Sequence, residues 1–185
     1  MKWNSHYGVK AGDHAFLGAS NYHWLNYDDQ KLANSFISYN AKQRGTRLHA
    51  YAAEAIRLGI KQRKSKQTLP NYINDAIGYK MDPEIVLWYS DNCFGTADAI
   101  TFRNGILRIF DLKTGAIPAK MDQLMIYAAL FCLEYGVKPG TISFDLRIYQ
   151  NDEIYYAEPE ADDILPIMSH IKHCDEIINK LKTEG

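Results

Sequence analysis

Apolar and polar positions alternate along this chain in two different periods, and the change of period divides it into elements. Segment 28–42 opens on an acidic turn and reads as a helix, with Gly45 as its break. Segment 46–58 reads as a second helix, with Leu48, Ala52, Ala55 and Ile56 on one apolar face and Gly59 as its C-terminal stop. The charged stretch 61–66 reads as a loop or frayed end, and 71–80 as a short helix. The pattern then changes to β-branched and aromatic residues at 85–89, 93–102 and 106–113, divided by turn signals at Asp91-Asn92 and Asn104-Gly105. Gly115 and Pro118 precede a helix over 119–135, which Gly136 and Lys138-Pro139-Gly140 close. Strands at 141–149 and 153–157 meet across Asn151-Asp152, and an amphipathic helix follows over 162–182. This order predicts an α/β fold with a mixed central sheet, an antiparallel meander plus further strands, flanked by helices.

Composition narrows the class. At 46% apolar and 23% charged residues, disordered, collagen-like and coiled-coil chains are excluded. The 185 residues contain no repeat, low-complexity tract or linker, so one domain over 1–185 is expected. The longest apolar run, 124–133, falls well short of the ~18 residues of a membrane span, and the first residues carry no apolar signal region. Three cysteines, Cys93, Cys132 and Cys174, form no C-x-x-C pair, which points to a reducing compartment. A soluble cytoplasmic protein is expected. His170, His173 and Cys174 suggest zinc but lack a fourth ligand.

Charge changes the picture through its distribution. Acids number 22 and bases 21, so a polyanionic partner has to be held by a local patch. Segment 42–66 supplies one: Lys42, Arg44, Arg47, Arg57, Lys61, Arg63, Lys64 and Lys66 stand against the single acid Glu54. From 145 onward acids dominate.

The Asn104-Gly105 turn carries the chemistry. A two-residue type I′ turn pairs Arg103 with Ile106, and the same register sets Asp98 opposite Asp111 and Thr96 opposite Lys113. Facing carboxylates destabilise a sheet. A divalent cation between them reverses the sign, since hard cations seek carboxylate oxygens. The period of two puts Lys113 on the same face as Asp111, while Leu112 points into the opposite layer. Gly95 leaves room for a ligand backbone. On the next helix Gln123 and Tyr127, at i and i+4, share a polar stripe with Lys120.

In this order the residues resemble the PD-(D/E)XK nuclease superfamily, in its RecB-like exonuclease branch of lambda-exonuclease and CRISPR-associated exonuclease type. Four parts carry the likeness: Gly45 to His49 (GTRLH), Gly95 to Asp98 (GTAD), Asp111 to Lys113 (DLK) and Gln123 to Tyr127 (QLMIY). Ala97 stands where the superfamily's name has proline. The resemblance implies a restriction-endonuclease-like core in which Asp98, Asp111 and the Leu112 carbonyl bind Mg²⁺ or Mn²⁺, His49 is a further ligand and Lys113 is the catalytic lysine. Gln123 and Tyr127 would line the site and touch substrate, with Arg44, Arg47 and Lys120 as candidates for phosphate contacts. No iron–sulfur cluster is expected, because three scattered cysteines cannot supply four ligands.

The implied function is a metal-dependent deoxyribonuclease, an exonuclease of phage or bacterial DNA recombination, repair or processing. Its partner would be DNA, read by backbone charge rather than by sequence, with a homo-oligomer or a recombination protein as possible company. Two other readings stand beside it: a non-catalytic nucleic-acid-binding or assembly protein that keeps the nuclease fold, and a hydrolase of small phosphoesters.

Overall fold

Asn104 and Gly105 both adopt left-handed backbone, at φ 53° and 72°, the conformation a type I′ turn requires. The turn sets the register of the hairpin as expected: Arg103 pairs with Ile106, and the ladder continues through Ile100↔Ile109 to Ala99↔Phe110. Around this hairpin the computed structural model, which describes residues 8, 10 and 13–184, builds a five-stranded mixed sheet. The strands are β1 (Asp82–Ser90), β2 (Cys93–Arg103), β3 (Ile106–Leu112), β4 (Ser143–Gln150) and β5 (Glu153–Ala157), hydrogen-bonded in that order. Only β3 and β4 run parallel. A parallel pair needs a crossover, and a helix supplies it.

The helices are α1 (Asp29–Arg57), α2 (Thr68–Gly78), α3 (Asp122–Glu134), which makes that crossover, and α4 (Ala161–Glu184). The period of two in β3 sends alternate side chains into two cores. Leu107 and Ile109 join Leu87, Leu146 and Ile148 beneath Leu124, Ala128 and Phe131 of α3 and Ile164 and Ile171 of α4. Phe110 and Leu112 join Ala99 and Tyr149 beneath Ala52, Ala55 and Ile56 of α1 and Tyr72, Ile73 and Ala76 of α2. The result is an α/β sandwich. None of its helices, among the described residues, is long and apolar enough to cross a membrane.

One helix boundary needs correction. Gly45 does not break a helix: 29–57 is a single helix with Gly45 buried inside it. A Cβ at Gly45 would lie 2.7 Å from Thr114 Oγ1, so this glycine permits close approach of the loop after β3 and does not terminate anything. Gly59 does terminate α1. Its φ is 67°, and Ile60 N–H donates back to the Ala55 carbonyl at 2.9 Å, the bond of a Schellman cap.

By internal contacts the chain divides into two units, 1–44 and 45–185. The second holds the sheet and both cores. The first holds a 3₁₀ helix, Ala19–Asn26, that the periodicity did not predict, and the N-terminal part of α1, where Phe16 packs on Phe36 and Tyr39. Asp28 Oδ1 accepts from Lys31 N–H at 2.7 Å, which starts the helix.

Arg147 ties the outer face of β4 together. Its guanidinium donates to both Asp145 oxygens, at 2.7 and 2.9 Å, and to the Tyr79 hydroxyl at 3.1 Å, and it lies over the rings of Tyr79, Phe110 and Tyr156. Both members of the pair are largely buried. Arg147→Ala leaves Asp145 with only Arg108 and is expected to lower unfolding free energy by about 3 kcal/mol in urea titration. Arg147→Lys recovers less than half of that, since an ammonium cannot reproduce the two-pronged contact.

Candidate functional site

The β2–β3 ladder stops one step short of the two aspartates. Beyond Ala99↔Phe110 the strands part, so Asp98 and Asp111 are not ladder partners as the extended register required. Asp98 Oδ2 instead accepts a hydrogen bond from Leu112 N–H at 2.9 Å. The side chain takes the place of a neighbouring strand, because a buried N–H without a partner is costly. Lys113 N–H turns the other way and donates to the Tyr149 carbonyl at 2.9 Å. Thr96 correspondingly pairs with Val86 of β1, and Lys113 lies past the end of the ladder. On the β1 side the ladder has a gap as well. Pro83 pairs with Ala99 and Ile85 with Ala97, while Glu84 between them takes φ 55°. Asp98 therefore sits where β2 loosens from both neighbours.

His49, on the α1 segment that packs over the second core, brings Nδ1 to 3.3 Å from Asp98 Oδ2. The Asp98 carboxylate raises the His49 pKa above the ordinary imidazole value, against the opposing effect of burial. Asp111 is only 2% exposed. Burial first, and then the charge of Asp98, push its carboxyl above the usual range, and Lys113 offsets only part of this. The Lys113 ammonium lies 3.1 Å from Asp111 Oδ1 and 2.9 Å from Oδ2. It hydrogen-bonds Oδ1, whereas Oδ2, buried, meets no donor in hydrogen-bond geometry.

The crossover helix completes the group. Lys113 donates to Gln123 Oε1 at 2.7 Å, and Gln123 Nε2 donates to the Tyr127 hydroxyl at 3.2 Å. Tyr127 lies against the bare Cα of Gly95, where a Cβ would come within 2.8 Å of its ring. Thus His49, Asp98, Asp111, Lys113, Gln123 and Tyr127, from α1, β2, the end of β3 and α3, form one connected set. Leu112 contributes its backbone, while its side chain is buried in the second core.

The remaining sequence candidates stand apart from that chain of contacts. Arg47 is exposed on α1, Lys120 is exposed just before α3, and Arg44 is exposed in the N-terminal unit. Two residues that the sequence reading passed over belong with the site. Tyr72 of α2 is buried, and burial together with the charges of Asp98 and Asp111 holds its hydroxyl well above the usual phenol range. Gln150, only 2% exposed, accepts from Ala119 N–H at 2.9 Å and donates to the carbonyls of Gly115 and Ile117, at 2.6 and 2.7 Å. It fixes the loop joining Lys113 to the helix of Gln123. A glutamine at a strand end gives no sign in sequence that it will be buried.

Among the described residues, no three His, Cys, Asp or Glu side chains already converge as a cage for an ion. Asp98 is turned to Leu112 N–H and His49, and Asp111 to Lys113. No family model matches the chain, and no curated protein matches it either.

Two outcomes follow from the geometry. The folded chain holds the Asp111 proton more tightly than the unfolded chain does, so the carboxylate removes stability as pH rises from the ordinary carboxyl range through its raised folded value. Asp111→Asn is therefore expected to melt about 2–4 °C above the natural chain at neutral pH, with the difference shrinking in acid, as read by calorimetry without metal. Gly95→Ala displaces the Tyr127 ring and is expected to lower the melting midpoint by about 2–4 °C in calorimetry.

Proposed function

We propose that this chain is a divalent-metal-dependent deoxyribonuclease of PD-(D/E)XK type in the RecB-like branch, acting as an exonuclease in phage or bacterial DNA processing. The observation that carries the reading is the buried Asp111 carboxylate beside Asp98, whose Oδ2 meets only the Lys113 ammonium, 2.9 Å away and out of hydrogen-bond geometry. A fold selected for stability alone has no use for that atom. A hard cation has, and the donor set of two carboxylates and an imidazole suits Mg²⁺ or Mn²⁺, with the imidazole favouring Mn²⁺.

On this reading Asp98, Asp111, the Leu112 carbonyl and His49 would hold the ion. Bound there, it would acidify water and draw charge from the phosphoryl oxygens. Asp111 and Gln123 hold the Lys113 ammonium in place. The role of that ammonium is to offset negative charge developing on the scissile phosphate. Gln123 fixes that ammonium from the side away from Asp111, and Tyr127 fixes Gln123. Arg47 and Lys120 would meet backbone phosphates without reading sequence.

With Mn²⁺ the purified protein should degrade linear DNA, and Lys113→Ala or Asp111→Ala should each lower the rate at least about 100-fold while far-ultraviolet circular dichroism stays unchanged. Equal rates in all three proteins would overturn the assignment. Circular DNA should resist under the same conditions, because an exonuclease needs an end; its digestion at the linear rate would replace "exo" with "endo".

A further inference from the structure

The β1–β2 hairpin carries an apolar surface that neither core uses. Trp88 and Phe94 are directly opposed partners, as are Val86 and Thr96. By the period of two these four share one face, opposite Leu87, which is buried among the α3 residues, and opposite Gly95, which touches Tyr127 of α3. That is the side of the sheet on which α1 carries His49. Trp88 is 48% exposed, Phe94 62% and Val86 53%.

The patch is too small for a protein partner. Its exposed part is on the order of 300 Å², against roughly 800 Å² per partner in a stable protein–protein interface. It suits an occupant the size of one or two flat rings. No charged side chain belongs to the four residues, so a phosphate finds no counter-charge there, while a base finds two π-faces. Phe94 is four residues from Asp98 on the same strand, roughly 13 Å at 3.3 Å per residue.

We infer that Trp88 and Phe94 form a base-stacking platform that holds an unpaired nucleic acid strand beside the site, so that the chain selects single-stranded over fully paired ends. The inference rests on the nuclease reading for its position next to a scissile phosphate. In a duplex the base faces are hidden in the stack, and an uncharged aromatic pair gains little from the backbone outside; in a single strand every base exposes a face to it.

The test is equilibrium binding, without divalent metal and with a chelator present, of a short fluorescent DNA single strand and of the matching blunt duplex. The double variant Trp88→Ala/Phe94→Ala is expected to bind the single strand at least about tenfold more weakly, the loss typical of one stacked base. Duplex affinity should stay within about twofold, and Trp88→Tyr, which keeps a ring, should stay near the natural chain. Both side chains are on the surface, so a matching melting midpoint verifies that the double variant is folded. Unchanged single-strand affinity in the double variant overturns the platform, and does so in favour of a protein partner if the variant also elutes as a smaller species in size-exclusion chromatography. The two readings fail separately. Hydrolysis with ring-independent binding removes the platform alone, whereas ring-dependent binding without hydrolysis keeps the platform and removes the nuclease.

Discussion

The site depends on one hydrogen bond, from Leu112 N–H to Asp98 Oδ2. A hairpin as regular as β2–β3, closed by a turn of the favoured type, would ordinarily keep its ladder to the ends of both strands. This one stops after Ala99↔Phe110. Past that point β3 keeps its parallel pairing with β4, and the N–H it would have offered β2 is taken by a side chain. The exchange satisfies the backbone while opening a gap between strands. Both aspartates, the lysine and the histidine border that gap.

The gap creates an electrostatic conflict that the surrounding residues contain without removing. Asp111 is nearly as buried as the core leucines yet carries a charge, and its one ion pair leaves Oδ2 without a hydrogen bond. Burial raises its pKa, and the neighbouring Asp98 adds to the rise. Removing Lys113 would take away the carboxylate's counter-charge, at a stability cost that protonation of the carboxyl limits. The lysine therefore serves stability and, on the proposed reading, catalysis with the same atom. Gln123 and Gln150 then act at successive removes. Gln123 holds the ammonium, and Gln150 holds the loop that brings the helix of Gln123 to it.

Much of this was legible from residue order. Asn104-Gly105 takes left-handed backbone at low cost, so the turn, the register and the pairing of the hairpin followed from two residues. The alternation of Ile109, Phe110, Asp111 and Leu112 told which side chains share a face, and all four motif segments, GTRLH, GTAD, DLK and QLMIY, contribute to one connected group or adjoin it. Two features escaped for physical reasons. Gly45 looked like a helix stop because glycine is costly within a helix, yet its bare Cα makes room for Thr114, a residue distant in sequence. The splaying of β2 and β3 was hidden because a ladder register says where strands could pair and not where a carboxylate outcompetes a strand for an N–H. Tyr72 and Gln150 were invisible for the same reason: their roles are set by burial, which tertiary packing decides.

The placement of α3 explains why the lysine and the carboxylates can be held so closely on different elements. A parallel β3–β4 pair forces a crossover, and the crossover helix lies over the sheet on the face of Leu107 and Ile109. Period two puts Asp111 on that same face, so any polar residue in the first turns of α3 is carried back toward the end of β3. Gln123 and Tyr127, one turn apart, are the residues that arrive there. Their approach is limited by β2, where Gly95 leaves out a Cβ that would come within 2.8 Å of the Tyr127 ring. The crossover, the strand period and one missing Cβ thus converge on a single geometry. An ammonium is fixed between a carboxylate and an amide, at the mouth of a gap that its own backbone, bonded to Tyr149, helps keep open.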